Sequence, residues 1–417
     1  MVRLSGFQHF RGAAVNQFVR FLMLSGHESS LLLPRDRMRR CLVCLVGFVM
    51  LLAGLSTESV AEPLLAEMDL FISGHDSVNI YRIPSLLVAP SGTLLAFIEA
   101  REGDDGDPTD LVIKRSVYSS PQKPPQNLNG YPRVFGYGVN WEPMRIVLPG
   151  NGDALMEPCP VLDKSTGRIW LHCYQVRGGL KEHLKDAHMG RVLVTYSDDE
   201  GVRWAPPRDL TESIPRFIAG PGVGVQLRTG RLVIPGYWSS AKDVPPRSCA
   251  VYSDDHGETW RRGEQVKGNT DESQAVELSD GVLMLNCNNR GKACRYVALS
   301  RDGGETWFEE FDEPLLPEGS TCQASITREE HAAEAGGKPR LVFVNAIHSR
   351  TNLTVRVSSD DGKTWSAGRT IQPGPAAYSS VAFLKDGTIG VLYETGKVHP
   401  YEKNSFALFN LEWLTSQ

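Results

Sequence analysis

The chain has 417 residues, 41% hydrophobic and 22% charged, ample material for a buried core and a composition that excludes an intrinsically disordered chain. Its 44 basic and 49 acidic residues give a formal charge of -5 without long runs of one sign, so no global field gathers nucleic acid and any anion must be caught locally.

The first sixty residues differ in kind from the rest. Arg35, Arg37, Arg39 and Arg40 precede an apolar run from Cys41 to Leu55, and Ser59-Val60-Ala61 follows. This is the pattern of a secretory signal peptide cut near Ala61, and the run is short of the about 20 residues a membrane span requires. Residues 1–61 are therefore expected to be an N-terminal extension and signal, and 62–417 one exported domain with no permanent membrane anchor. The stretch ahead of the apolar run is longer than a usual n-region; a translation start at Met38 would leave Met-Arg-Arg before it. After the signal come Cys159, Cys173, Cys249, Cys287, Cys294 and Cys322, none in a C-x-x-C pair or a His/Cys cluster at zinc spacing. Export permits disulfides, but several of these cysteines sit inside apolar strand patterns and read at least equally as buried free thiols; Cys287 with Cys294, bracketing a short polar loop, is the best candidate bridge.

One segment type then recurs six times, a turn containing Gly or Lys-Pro followed by an alternating apolar strand. The copies are at 91–97, 166–171, 229–234, 280–285, 338–343 and 386–391, and each reads as the tight turn and inner strand of a hairpin. Between them runs S-x-D-x-G-x-x-W, at Ser197–Trp204, Ser253–Trp260, Ser300–Trp307 and Ser358–Trp365. Its chemistry is structural: Asp and Gly close a turn, and Trp packs between sheets. A fifth site begins at Ser116 and resumes at Trp141, with a Pro-, Gly- and Asn-rich insertion between that reads as a surface loop. Six hairpins, boxes in phase with them and almost no amphipathic helix predict an all-β chain, a six-bladed β-propeller with Asp-box repeats. A β-sandwich is the competing fold, and it leaves the phase of the boxes unexplained.

These boxes resemble the Asp boxes of sialidases, and Tyr81-Arg82-Ile83-Pro84 resembles the Arg-Ile-Pro motif that opens that family's first blade. The resemblance covers residues 70–413 and implies an exo-α-sialidase acting on sialylated glycoconjugates. Sialic acid carries a carboxylate on its anomeric carbon, which suits guanidinium forks. The family uses three arginines. Arg82 matches the first and Arg350, in His348-Ser349-Arg350-Thr351, the third. Where the family has Asn-x-Arg for the second, this chain has Asn286-Cys287-Asn288, leaving Arg290, or less favourably Arg295, to reach the same place.

The same carboxylate would repel an acidic nucleophile, and the family uses tyrosine. Tyr378, in Ala377-Tyr378-Ser379-Ser380, matches it, and Glu272, in Asp271-Glu272-Ser273-Gln274, matches the glutamate that takes its proton. The general acid is implied in the loop 101–110, where the D-x-G-D pattern selects Asp104 and ungapped counting selects Asp105. Glu394 resembles the glutamate that holds the first arginine. Met156-Glu157-Pro158 and Ala219-Gly220-Pro221-Gly222 resemble pocket walls that would serve the N-acyl and glycerol arms, or are turns only. The resemblance implies a retaining mechanism that requires no metal or organic cofactor. Because the second arginine is missing, two other readings stand: a propeller that binds glycans or proteins without cleaving them, and a glycosidase for a related nonulosonic acid.

Overall fold

A computed structural model describes residues 63–118, 139–178, 190–239, 244–319, 322–329 and 339–416. The expected signal peptide and the middle of the insertion after Ser116 lie outside the described residues. The chain is a six-bladed β-propeller, and each blade is an antiparallel sheet whose strands step outward from the axis in chain order.

Blade 1 comprises Ile80–Val88, Leu94–Arg101, Thr109–Tyr118 and an outer edge at Arg145–Leu148. Blade 2 comprises Ala154–Leu162, Ile169–Val176, Gly190–Ser197 and Arg208–Asp209. In blade 3 the innermost strand is broken into Phe217–Ala219 and Val225–Gln226 by the Gly-Pro-Gly segment, and Leu232–Trp238, Arg247–Ser253 and Arg261–Arg262 follow. Blade 4 is Thr270–Glu277, Leu283–Asn289, Cys294–Ser300 and Glu309–Pro317. Blade 5 contains Ser325–Arg328, Leu341–His348 and Thr351–Ser358, and closes on the first half of Arg369–Phe383. The second half of that long strand is innermost in blade 6, followed by Ile389–Thr395 and Lys403–Phe409. The outermost strand of blade 6 is Leu65–Ile72, from the N-terminal end of the described chain, so the two ends of the domain close one sheet.

Among the described residues six apolar cores lie between the blades, one for each adjacent pair. Leu95, Phe97, Leu171 and Cys173 belong to the core between blades 1 and 2, and Leu70, Leu86, Ala96 and Leu392 to the one between blades 6 and 1. A sandwich has a single core between two sheets; a ring of inter-sheet cores excludes it.

The glycine-turn strands are the second strand of each blade, which corrects their assignment as inner strands. Leu94–Arg101 pairs with Ile80–Val88 on one edge and Thr109–Tyr118 on the other, and every residue in it is buried. A strand covered on both edges and both faces reads as the most apolar segment. The innermost strand carries polar groups toward the axis and is less conspicuous in the sequence.

In each Asp box the serine hydroxyl accepts the glycine N–H and the aspartate closes the turn. In blade 2 Gly201 N donates to Ser197 Oγ at 2.8 Å and Arg203 N to Asp199 Oδ1 at 2.8 Å. Trp204 then lies edge-on to Phe97 of blade 1 at 5.7 Å, and Trp260 to Trp170 of blade 2 at 6.3 Å.

The six cysteines from Cys159 onward are free thiols, and the candidate Cys287–Cys294 bridge is not formed. The register explains this: Cys287 faces Tyr296 across its hairpin and is fully buried, whereas Cys294 is two residues out of step and half-buried. No helix among the described residues is long and apolar enough to cross a membrane.

Candidate active site

Four innermost strands slip their pairing register at the same height, at one end of the propeller. The shifts fall between Arg82 and Ser85, Met156 and Cys159, Thr270 and Ser273, and Ala376 and Ser379. A bulge bends the strand and re-aims its side chains. Here the four bulges carry Arg82, Glu157, Glu272 and Tyr378. Ile83 and Glu157 adopt positive φ, +60° and +58°, conformations that non-glycine residues reach only when their surroundings enforce them.

Glu394 is the internal brace. Its Oε1 accepts from Arg82 Nε at 2.7 Å and from Ile83 N at 3.0 Å, and its Oε2 accepts from Tyr378 N at 3.1 Å. One buried carboxylate thus ties the first-blade arginine to the sixth-blade tyrosine. Tyr378 is 7% exposed, and its hydroxyl donates to Glu272 Oε1 in a short hydrogen bond. Burial, then the charge of Asp271, pushes the Glu272 carboxyl up to about 7, against the pull of the Tyr378 hydroxyl, Arg350 and Arg295. Burial and the Glu272 charge also hold the Tyr378 phenol well above its ordinary value. The proton between them is shared by two groups each made reluctant to ionise alone.

Arg350 reaches the same place from a two-residue hairpin, Ser349-Arg350, in which both residues have positive φ, and its carbonyl accepts from Ala376 N at 2.9 Å. The guanidinium carbons of Arg82 and Arg350 lie 5.5 and 5.1 Å from the Tyr378 ring centre. Tyr401 stacks on Arg82 at 3.7 Å and lies 5.9 Å from Arg350. The two cations therefore flank the phenol.

The two aspartates of the acidic loop are placed differently. Asp105 is 3.5 Å from Arg82 Nη1 and also hydrogen-bonds Arg101, with 66% of its side chain open to solvent. Partial burial raises its carboxyl, but Arg101 and then Arg82 outweigh that and hold it below the ordinary range. Asp104 instead takes part in a turn, its N–H donating to Asp107 Oδ2 at 2.9 Å.

Neither candidate for the second arginine joins Arg82 and Arg350. Arg290 is 44% exposed and faces Asp271 Oδ2 at 3.5 Å. Arg295 is wholly buried beneath the site, bound to Asn286 Oδ1 at 2.8 Å, Glu318 Oε2 at 3.2 Å and the Cys322 carbonyl at 3.3 Å. Met156 is half-buried in the second-blade wall, beside Glu157.

A BNR repeat-like domain matches residues 92–391. A sialidase of Micromonospora viridifaciens is 36% identical over 87% of this chain and 56% of its own length, and one of Bacteroides fragilis is 29% identical over 78% and 62%. Sialidase-3 of Rattus norvegicus is 31% identical over 79% of this chain and 91% of its own. The chain belongs to the sialidase family. A solved Hadza microbial sialidase is 28% identical, with a TM-score of 0.72 over 84% of this chain and 69% of that one. The chain spans little more than half the length of the Micromonospora relative.

Several residues at this sialidase-family site were not singled out in the sequence. Arg101, bound to Glu99 at 2.5 Å, presents a third guanidinium near Arg82, and Glu99 accepts from Glu157 N at 2.7 Å. Arg101 stands at the end of a strongly apolar strand, and a cation there is the one signal that could have marked it. Tyr401 lies in an irregular stretch with no pattern to flag it. The Glu157 carboxyl is pushed well up by burial, then by Glu272 and Glu99.

Proposed function

We propose that this chain is an exo-α-sialidase that releases terminal sialic acid from glycoconjugates with retention of configuration, acting outside the cytoplasm after signal cleavage. The observation that carries the reading is the hydrogen bond from Tyr378 to Glu272 between two flanking arginines. Arg82, held rigid by Glu394, and Arg350 receive the substrate carboxylate and turn the anomeric carbon toward the phenol. Tyr378 Oη attacks that carbon while Glu272 takes the phenolic proton, and the bond to the aglycone oxygen breaks as Asp105 protonates it. Water, losing a proton to Asp105, then cleaves the tyrosyl-sugar bond, and Glu272 returns the proton to Tyr378. A carboxylate bound to Arg82 also offsets part of the cationic field that keeps Asp105 ionised, so substrate arrival raises the acid toward its working state.

The loss of an arginine at Asn288 favours one second reading, a related nonulosonic acid as substrate, because a changed clamp accepts a changed acid. The test is hydrolysis of a 4-methylumbelliferyl sialoside and of 3'-sialyllactose by residues 62–417, beside Tyr378→Phe, Asp105→Asn and Asp104→Asn. Tyr378→Phe is expected to lose at least about 100-fold on both substrates. Asp105→Asn should lose most on sialyllactose, whose leaving group needs the proton, and Asp104→Asn little on either. A folded parent without turnover of any acid-sugar glycoside would leave a binding propeller, and full activity in Tyr378→Phe would remove the mechanism.

A further inference from the structure

The bulge that aims Tyr378 interrupts its own ladder, and a side chain from the neighbouring blade repairs it. Pairing between Arg369–Phe383 and Ile389–Thr395 slips between Ala376 and Ser379, so the backbone around the phenol is not held by regular rungs. Glu394 secures Tyr378 N from within blade 6. On the axial side stands Gln323, just ahead of the innermost strand of blade 5 and 1% exposed. Its Oε1 accepts from Ser379 N at 2.9 Å, and its Nε2 donates to the Ser379 carbonyl at 2.9 Å.

A primary amide in this orientation makes the same donor and acceptor pair that an adjacent β-strand residue would make. Nε2 also reaches the Pro221 carbonyl of blade 3 at 3.3 Å, and Ser325 Oγ meets Ser379 Oγ at 3.0 Å. Other axial amides divide their bonds between different residues, as Gln274 does when its Nε2 donates to the Pro221 carbonyl at 2.8 Å and its Oε1 accepts from Val223 N at 3.4 Å, and Leu86 N to Ser380 Oγ at 2.9 Å is a single bond. The residue next to the phenol is therefore gripped at both main-chain atoms, in a site where buried bonds do not compete with water.

We infer that Gln323 is a positioning residue for Tyr378, its amide fixing the Ser379 backbone and thereby the distance and angle from which the phenol attacks. This inference rests on the proposed role of Tyr378 as nucleophile. A displacement of the order of 1 Å at a reacting atom costs roughly 100-fold, so even a partial release should be measurable.

The experiment is covalent labelling of residues 62–417 by 2,3-difluorosialic acid, followed by intact mass and located by peptide mapping, together with steady-state turnover of the aryl sialoside. Gln323→Met keeps the volume and removes the amide. Gln226→Met removes another buried axial amide, in blade 3, which accepts from Lys164 N at 2.7 Å and donates to Asp163 Oδ1 at 2.8 Å in blade 2. Expected is a labelling rate at saturation about tenfold lower in Gln323→Met, a matching fall in kcat and a KM within about threefold, with Gln226→Met labelling at the parent's rate. Should Gln323→Met not fold, Gln323→Glu, which keeps the acceptor for Ser379 N, is read instead, and its rate divided by the parent's at the same pH should rise as pH falls and its carboxyl regains a donor proton. Parent-like labelling in the Gln323 variant, or equal slowing in both, overturns the inference while the nucleophile stands. A parent that takes no label on Tyr378 overturns the nucleophile first.

Discussion

Among single residues, Glu272 decides how the site responds to pH. Its carboxyl is pushed up to about 7 by burial and then by Asp271, one residue away, whose Oδ1 accepts from Glu272 N at 2.8 Å. Tyr378, Arg350 and Arg295 favour the charged form, while the buried Glu157 adds its own unfavourable coupling to Glu272. In the proposed mechanism Glu272 must be ionised to accept the Tyr378 proton, so activity should fall as pH drops through the Glu272 titration. Asp271→Asn keeps the acceptor for Glu272 N and removes the negative charge, which lowers the Glu272 pKa and moves the acid limb of kcat/KM to lower pH. The expected shift is on the order of half to one unit. A pH–rate profile on the aryl sialoside checks it; an unmoved limb would mean that another group sets it. At this scale the sequence carried Arg82, Glu272, Arg350, Tyr378 and Glu394 because each lies in a recognisable short motif. It left Asp104 and Asp105 tied, since two counting rules differ by one residue, and the contacts of Asp105 with Arg82 and Arg101, on which the proposal of Asp105 rests, are revealed by no spacing rule. The fate of Arg295 was equally hidden, because Glu318 and the Cys322 carbonyl meet it only through the folded fourth blade.

The repeating elements were legible for the opposite reason: their chemistry is local. An Asp box spends its serine, aspartate and glycine within eight positions of itself, and a glycine turn declares a positive φ wherever it occurs. Which strand follows the turn was misread, because burial makes the second strand louder than the first. The boxes also perform a non-local task that the letters do not show, and Gly257 exposes it. A Cβ at Gly257, φ +88°, would stand 2.2 Å from Trp170 Cε2 in the neighbouring blade, whereas one at Gly281, also φ +88°, would meet nothing within 4 Å. Backbone strain is matched in Gly257→Ala and Gly281→Ala, so their difference isolates the packing of box against blade. Gly281→Ala should cost about 1 kcal/mol, the penalty of a left-handed alanine. Gly257→Ala should cost roughly 2 kcal/mol more, because a buried tryptophan must move. Urea denaturation midpoints measure both, and equal midpoints would mean that the boxes do not press on their neighbours.

For the whole molecule, the geometry of the candidate site depends on how the ring is closed. Tyr378 and Glu394 belong to blade 6, and that blade is completed by Leu65–Ile72, paired from Leu65↔Phe409 to Ile72↔Lys403. The closing strand buries Phe71 completely, tilted against the Tyr81 ring at 5.3 Å, and Tyr81 adjoins Arg82. Leu70 joins Leu86 and Leu392 in the core between blades 6 and 1. Closure therefore clamps together the blade that carries the phenol and the blade that carries the first arginine. Burying Leu70 and Phe71 contributes roughly 3–6 kcal/mol, before the ladder hydrogen bonds, a large share of the stability of an ordinary domain. A chain starting at Ser73 should accordingly unfold at least about 10 °C below one starting at Glu62, and lose turnover in proportion to its unfolded fraction. Supplying the strand as a separate peptide spanning 62–72 should restore both in a concentration-dependent way, since the vacated edge of Lys403–Phe409 offers free N–H and C=O groups to receive it. Melting curves and aryl sialoside turnover over a peptide titration decide the matter. If the shortened chain melts with the parent, the ring is held by its inter-blade cores alone and the first strand is only a cover.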